Sequence, residues 1–96
     1  MARAAGRKAR PALVLTRDDV IARTLDVVAM PASRTAHDWL TEVEVGPEDG
    51  MPTTSFLVAE NTLSAEKVYL TQRITELGAA KMDAVCRALA TATSCG

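Results

Sequence analysis

His37 is the single histidine among 96 residues, and imidazole is the side chain whose ordinary pKa suits carrying a proton near neutrality. It follows the polar stretch Pro31-Ala32-Ser33-Arg34-Thr35, where an aliphatic run stops at a proline and a loop is predicted. Loops at strand ends are where binding and catalytic groups concentrate. Arg34, in the same loop, offers a guanidinium whose fork matches phosphate oxygens. Both residues also have a plainer reading, as solvated surface side chains.

Other chemistries find less material. Cys86 and Cys95 are too few for a disulfide framework, and with one histidine they do not complete a zinc spacing, so both read as bystander thiols and no metal or cofactor is expected. Aromatic residues make up 3% of the chain, which gives no ladder of rings for stacked bases.

The formal net charge of −1 hides an uneven distribution. Residues 1–34 carry seven Lys or Arg against three acids, whereas residues 38–60 carry six acids and no Lys or Arg. A polyanion would be steered to the first third and repelled by the middle, although solvated surface charge explains the pattern equally well.

A chain this short makes one domain, and 48% hydrophobic with 24% charged residues is the balance of a folded globular chain. No apolar run approaches the roughly 20 residues of a bilayer span, and the basic start lacks the apolar stretch of a secretion signal. A cytoplasmic location without membrane contact is therefore expected.

The elements that must hold the loop are legible in outline. Residues 1–9 show no apolar period and read as a loose basic arm, with a single domain over 10–96. Pro11 to Thr16 reads as a buried strand, and Thr16 supplies a capping hydroxyl for a short helix or turn. Leu25 to Met30 reads as a second strand ended by Pro31, and Leu40 to Val45 alternates as a strand with one face in water. Gly46 to Pro52 is a loop, Ser55 to Ala59 a strand, and Lys67 to Thr75 one or two shorter strands. Met82, Val85, Cys86 and Leu89 then form the apolar stripe of a helix over about residues 79–93. Four or five strands and a terminal helix make an α+β plan, with a twisted antiparallel sheet or small open barrel covered by the helix.

The order of these elements and several local words resemble the MazF/PemK toxins of bacterial type II toxin-antitoxin systems, particularly their actinobacterial members. The words are Arg10-Pro11-Ala12-Leu13-Val14-Leu15-Thr16, Val28-Ala29-Met30-Pro31-Ala32-Ser33, Thr41-Glu42-Val43, Ser55 to Asn61, and Tyr69-Leu70 through Leu77 into the helix. The resemblance covers roughly residues 10–94. The family's opening strand has no evident counterpart before Arg10, and Asp38 stands where many members carry glycine.

The resemblance implies an SH3-like small barrel with a C-terminal helix, a homodimer, and sequence-selective, metal-independent cleavage of single-stranded mRNA, held silent by a cognate antitoxin. It assigns catalysis to Arg10 and Ser33, with Arg10 supplying fixed charge to the phosphorane and Ser33 positioning the phosphate. His37 becomes the candidate for proton transfer, and Arg34, Thr35 and Arg17 become RNA contacts. DNA is expected to be met only through the antitoxin, because the chain has too little positive charge to bind it strongly alone. A different class remains open: a truncated or non-catalytic protein related to MazF or CcdB that captures an antitoxin or another partner without cutting RNA, which the missing strand favours.

Overall fold

Two aliphatic runs form the centre of the molecule because they pair with each other and bury the same residues. The computed structural model describes residues 2–5 and 10–95. Strand β1 (Ala2–Ala5) precedes β2 (Arg10–Val14), a one-turn helix α1 (Asp18–Ile21) and the long β3 (Asp26–Ser33). Next come β4 (Glu42–Val45), β5 (Ser55–Val58), β6 (Leu63–Glu66), β7 (Leu70–Thr75) and helix α2 (Ala79–Ala92). β2 and β3 run antiparallel with Leu13 opposite Met30, and both side chains are fully buried.

The sheet order is β4-β5-β3-β2-β1-β7, with β6 also paired to β3 and every pairing antiparallel. The α+β plan read from the sequence is thus the observed one. β3 continues through Pro31 to Ser33 rather than ending at the proline. The reason lies in its partners. Residues Asp26 to Ala29 pair with β6, whereas Ala32 and Ser33 pair with β5, so Pro31 falls between two ladders where its missing N–H costs little.

The first strand is the largest departure from expectation. Ala2–Ala5 lie between β2 and β7, with Arg3 opposite Ala12 on one side and Arg73 on the other. The segment read as a loose arm therefore contains, at Ala2–Ala5, a strand interior to the sheet. A four-residue run of three alanines and one arginine carries no periodic signal, and its strand conformation comes from the two neighbours that complete its hydrogen bonds.

Two smaller readings also change. The Thr16 hydroxyl does not cap α1, whose N-cap is Arg17 without a side-chain bond; it accepts the Val28 N–H at 2.7 Å instead. Cys86 is exposed and off the helix stripe, while Val85 and Ala88 are buried with Met82 and Leu89 packed beside them. α2 closes one face of the core formed by Leu13, Met30, Val45, Leu57 and Leu77.

Candidate nucleic-acid interface

The 46–52 loop is set by local chemistry before it meets the sheet. Asp49 accepts the Gly46 N–H at 2.9 Å, and Gly50 ends the turn at φ +90°, a region that glycine occupies without strain. Thr75 of β7 then donates its hydroxyl to the Asp49 carbonyl at 2.9 Å. A Cβ on Gly50 would collide with that hydroxyl. The loop is thereby held against β7.

This contact builds one wall of a groove of about 460 Å³. Pro11 and Ala32 line its floor, Thr53 and Ser55 its loop side, and Arg34 and Arg73 bring two guanidiniums. Among the described residues no carboxylate lines it. Arg34 has no ion pair among the described residues, whereas Arg73 reaches Glu76 at 2.8 Å.

Arg10 and Ser33 stand one residue from groove-lining positions, beside Pro11 and Ala32 respectively. The β2–β3 ladder ends with Ala12 opposite Pro31, and Arg10 and Ser33 each lie two residues beyond that last pair, at the same end of the two strands. The Ser33 hydroxyl accepts the Thr35 N–H at 3.1 Å. That bond fixes the turn in which Arg34 projects, and Arg34 and Thr35 are both exposed. Arg17 lies apart from this groove. It is exposed, pairs with Asp19 at 3.4 Å, and lines an adjoining hollow that also includes Arg73 and Glu76.

His37 is held by a feature the sequence reading did not find. Its Nδ1 lies 2.9 Å from Glu42 Oε2, and its backbone N–H donates to the same carboxylate at 3.0 Å. The Glu42 side chain is only 6% exposed. Period-2 alternation in β4 places Glu42 on the water face, but the loop after Ser33 folds back over it. Burial pushes the Glu42 carboxyl upward, yet the hydrogen bonds from the His37 ring and from the His37 and Asp38 amides together outweigh it and leave the pKa below its usual value. The His37 ring stacks on the half-exposed Trp39 with centroids 4.3 Å apart. Asp38 joins them at φ +56°, the left-handed backbone that explains why glycine suits this place.

The sequence reading therefore named Arg34, Ser33 and His37 in one loop, and missed Arg73 and Glu42. Nothing local marks either: Arg73 is one of several polar residues in an alternating strand, and it meets Arg34 only through the sheet. Among the described residues, no group of three His, Cys, Asp or Glu could hold a metal ion, and no helix is long and apolar enough to cross a membrane.

An antiparallel sheet closed by one terminal helix, with an arginine-bearing groove where β2, β3 and β7 meet, defines a small α+β domain suited to an anionic ligand. The chain belongs to the PemK-like, MazF-like toxins of type II toxin-antitoxin systems, which it matches over residues 2–93. It is 32% identical over 87 residues to the probable endoribonuclease MazF2 of Mycobacterium tuberculosis, spanning 90% of this chain and 85% of that one. The probable endoribonuclease MazF5 of the same species is 31% identical over 90% of this chain and 80% of its own. Among solved structures, the Mycobacterium tuberculosis toxin MazF-mt6 superposes with a TM-score of 0.87 at 30% identity, over 95% of this chain and 93% of that one. An endoribonuclease in complex with its cognate antitoxin, from a mycobacterial species, gives a TM-score of 0.83 at 31% identity, over 95% and 88%.

Proposed function

We propose that this toxin is an endoribonuclease that cuts single-stranded mRNA without a metal ion, as a homodimer silenced in the cytoplasm by a cognate antitoxin that also makes any DNA contact. The observation that carries the reading is the groove that, among the described residues, holds two guanidiniums and no lining carboxylate, one residue along the chain from both Arg10 and Ser33. Its electrostatics suit a phosphodiester backbone. The similarity to proteins described as endoribonucleases, one of them bound to its antitoxin, supports the same activity and partner.

In this mechanism the 2′-hydroxyl of the RNA attacks the adjacent phosphorus. A bond from O2′ to phosphorus forms, the bond from phosphorus to O5′ breaks, and a 2′,3′-cyclic phosphate and a free 5′-hydroxyl result. The 2′-hydroxyl proton passes to His37, a solvent water protonates the departing O5′, and the hydroxide this leaves takes the proton back from His37. Arg10 stabilises the charge that develops on the phosphorane, and Ser33 orients the phosphate. Arg34, Thr35 and Arg17 hold the flanking nucleotides.

The non-catalytic alternative drew its weight from a missing first strand, and the presence of β1 between β2 and β7 supports the catalytic reading against it. The deciding experiment incubates the purified chain with a long single-stranded RNA in EDTA and maps the ends. Discrete cuts that disappear in Arg10→Ala, with folding and antitoxin binding retained, are expected. Intact RNA from the folded wild-type protein would overturn the reading.

A further inference from the structure

Among the described residues, Arg73 alone lines both the groove containing Arg34 and the adjoining hollow containing Arg17. The two depressions therefore meet at its side chain, on the strand β7 that β1 joins to β2. Its present partner is Glu76, three residues along the chain, at 2.8 Å. Both side chains are largely exposed, 56% and 69%, so the pair is solvated and weakly held. A phosphate offers the same guanidinium a fork-to-fork pair through two parallel N–H bonds in place of the single contact to Glu76. Glu76 itself lines the Arg17 side of the track, together with Asp18, and not the Arg34 groove.

From this geometry we infer that Arg73 is a backbone-phosphate contact, exchanging Glu76 for RNA, so that one strand passes from Arg34 across β7 toward Arg17. The inference rests on the RNA reading above and extends it to a residue outside the β3–β4 loop. Arg73 binds phosphate and takes no part in proton transfer. Glu76 acts as an internal competitor: a carboxylate that keeps the guanidinium occupied until a polyanion of higher charge density displaces it. The acids Asp18 and Glu76 make the Arg17 side the weaker half of the track, and the Arg34 side, without a lining carboxylate, the stronger.

The test is the salt dependence of binding to a short single-stranded 2′-O-methyl RNA, which the protein cannot cleave by 2′-hydroxyl attack. Arg73→Gln is expected to weaken binding several-fold and to lower the slope of log affinity against log salt by about 0.7, the share of one phosphate contact on a single strand. Glu76→Gln is expected to tighten binding several-fold. Arg87→Gln serves as the control, since Arg87 makes a comparable exposed pair with Asp83 at 2.8 Å but lies on α2 away from the groove. An Arg73→Gln slope equal to that of wild type and Arg87→Gln would overturn the inference. Loss of affinity in Glu76→Gln would do the same. A folded wild-type protein that fails to bind this RNA at all would overturn the RNA reading itself, and this inference with it.

Discussion

Glu42 accepts both the ring Nδ1 and the backbone N–H of His37, at 2.9 and 3.0 Å, so one nearly buried carboxylate fixes the imidazole and the loop that carries it. With Nδ1 committed inward, Nε2 is the nitrogen left for a substrate. The arrangement has the logic of a histidine oriented by a carboxylate, and it joins the strand β4 to the loop after Ser33.

Acid should loosen this contact. The Glu42 pKa is held below its ordinary 4.5, so the unfolded chain binds the proton more readily than the native one. The resulting stability is complete above 4.5 and is lost as the pH falls through the lowered native value. Thermal unfolding measured across that range should show a steeper acid loss for wild type than for Glu42→Gln. Glu42→Ala, which leaves the His37 amide without a partner, should cost about 1–3 kcal/mol near neutrality.

Asp38 tests the backbone instead. Its left-handed conformation at φ +56° costs a side-chain-bearing residue roughly 1 kcal/mol that glycine avoids. Asp38→Gly should therefore raise the melting temperature, and Asp38→Val should lower it, with the β-branched variant the worse of the two.

Gly50 admits no such exchange. At φ +90° and against the Thr75 hydroxyl, Gly50→Ala combines backbone strain with a collision, and a loss of about 1–3 kcal/mol is expected in urea unfolding. Because this turn forms a wall of the groove, RNA cleavage should fall by more than the unfolded fraction accounts for.

Ser33 and His37 separate positioning from proton transfer. Ser33→Ala loses the bond to the Thr35 amide as well as the phosphate contact proposed for it, while Ser33→Thr keeps a hydroxyl. Cleavage rates should fall about a hundredfold in the first and far less in the second. His37→Phe retains a ring against Trp39 but cannot carry a proton, and should lower the rate by about a hundredfold or more, while the melting temperature also falls because Glu42 loses its ring partner.

Much of this fold was legible where a residue's own neighbours decide its state. The aliphatic runs of β2 and β3, the alternation of β4 and the stripe of α2 each carry a local period. β1 and β6 do not: Ala2–Ala5 is a strand because β2 and β7 flank it, and Leu63–Glu66 because β3 has an open side there. The same distinction divides the site. Ser33, Arg34 and His37 share one loop and could be read together. Arg73 joins them through a sheet order that places the chain's first strand beside its last, and Glu42 looked solvent-facing until the loop that covers it was placed.

The position of β1 between β2 and β7 also governs when the groove can form as the chain is made. The groove needs Pro11, Arg34 and Arg73 at once, and their walls are joined by pairing between residues 2–5 and 70–75, a contact of long sequence separation. A growing chain on the ribosome has no such groove until β7 has emerged, well after the loop bearing Ser33 and His37. Synthesis thus passes through an interval in which the loop bearing His37 has been made but has no groove beside it.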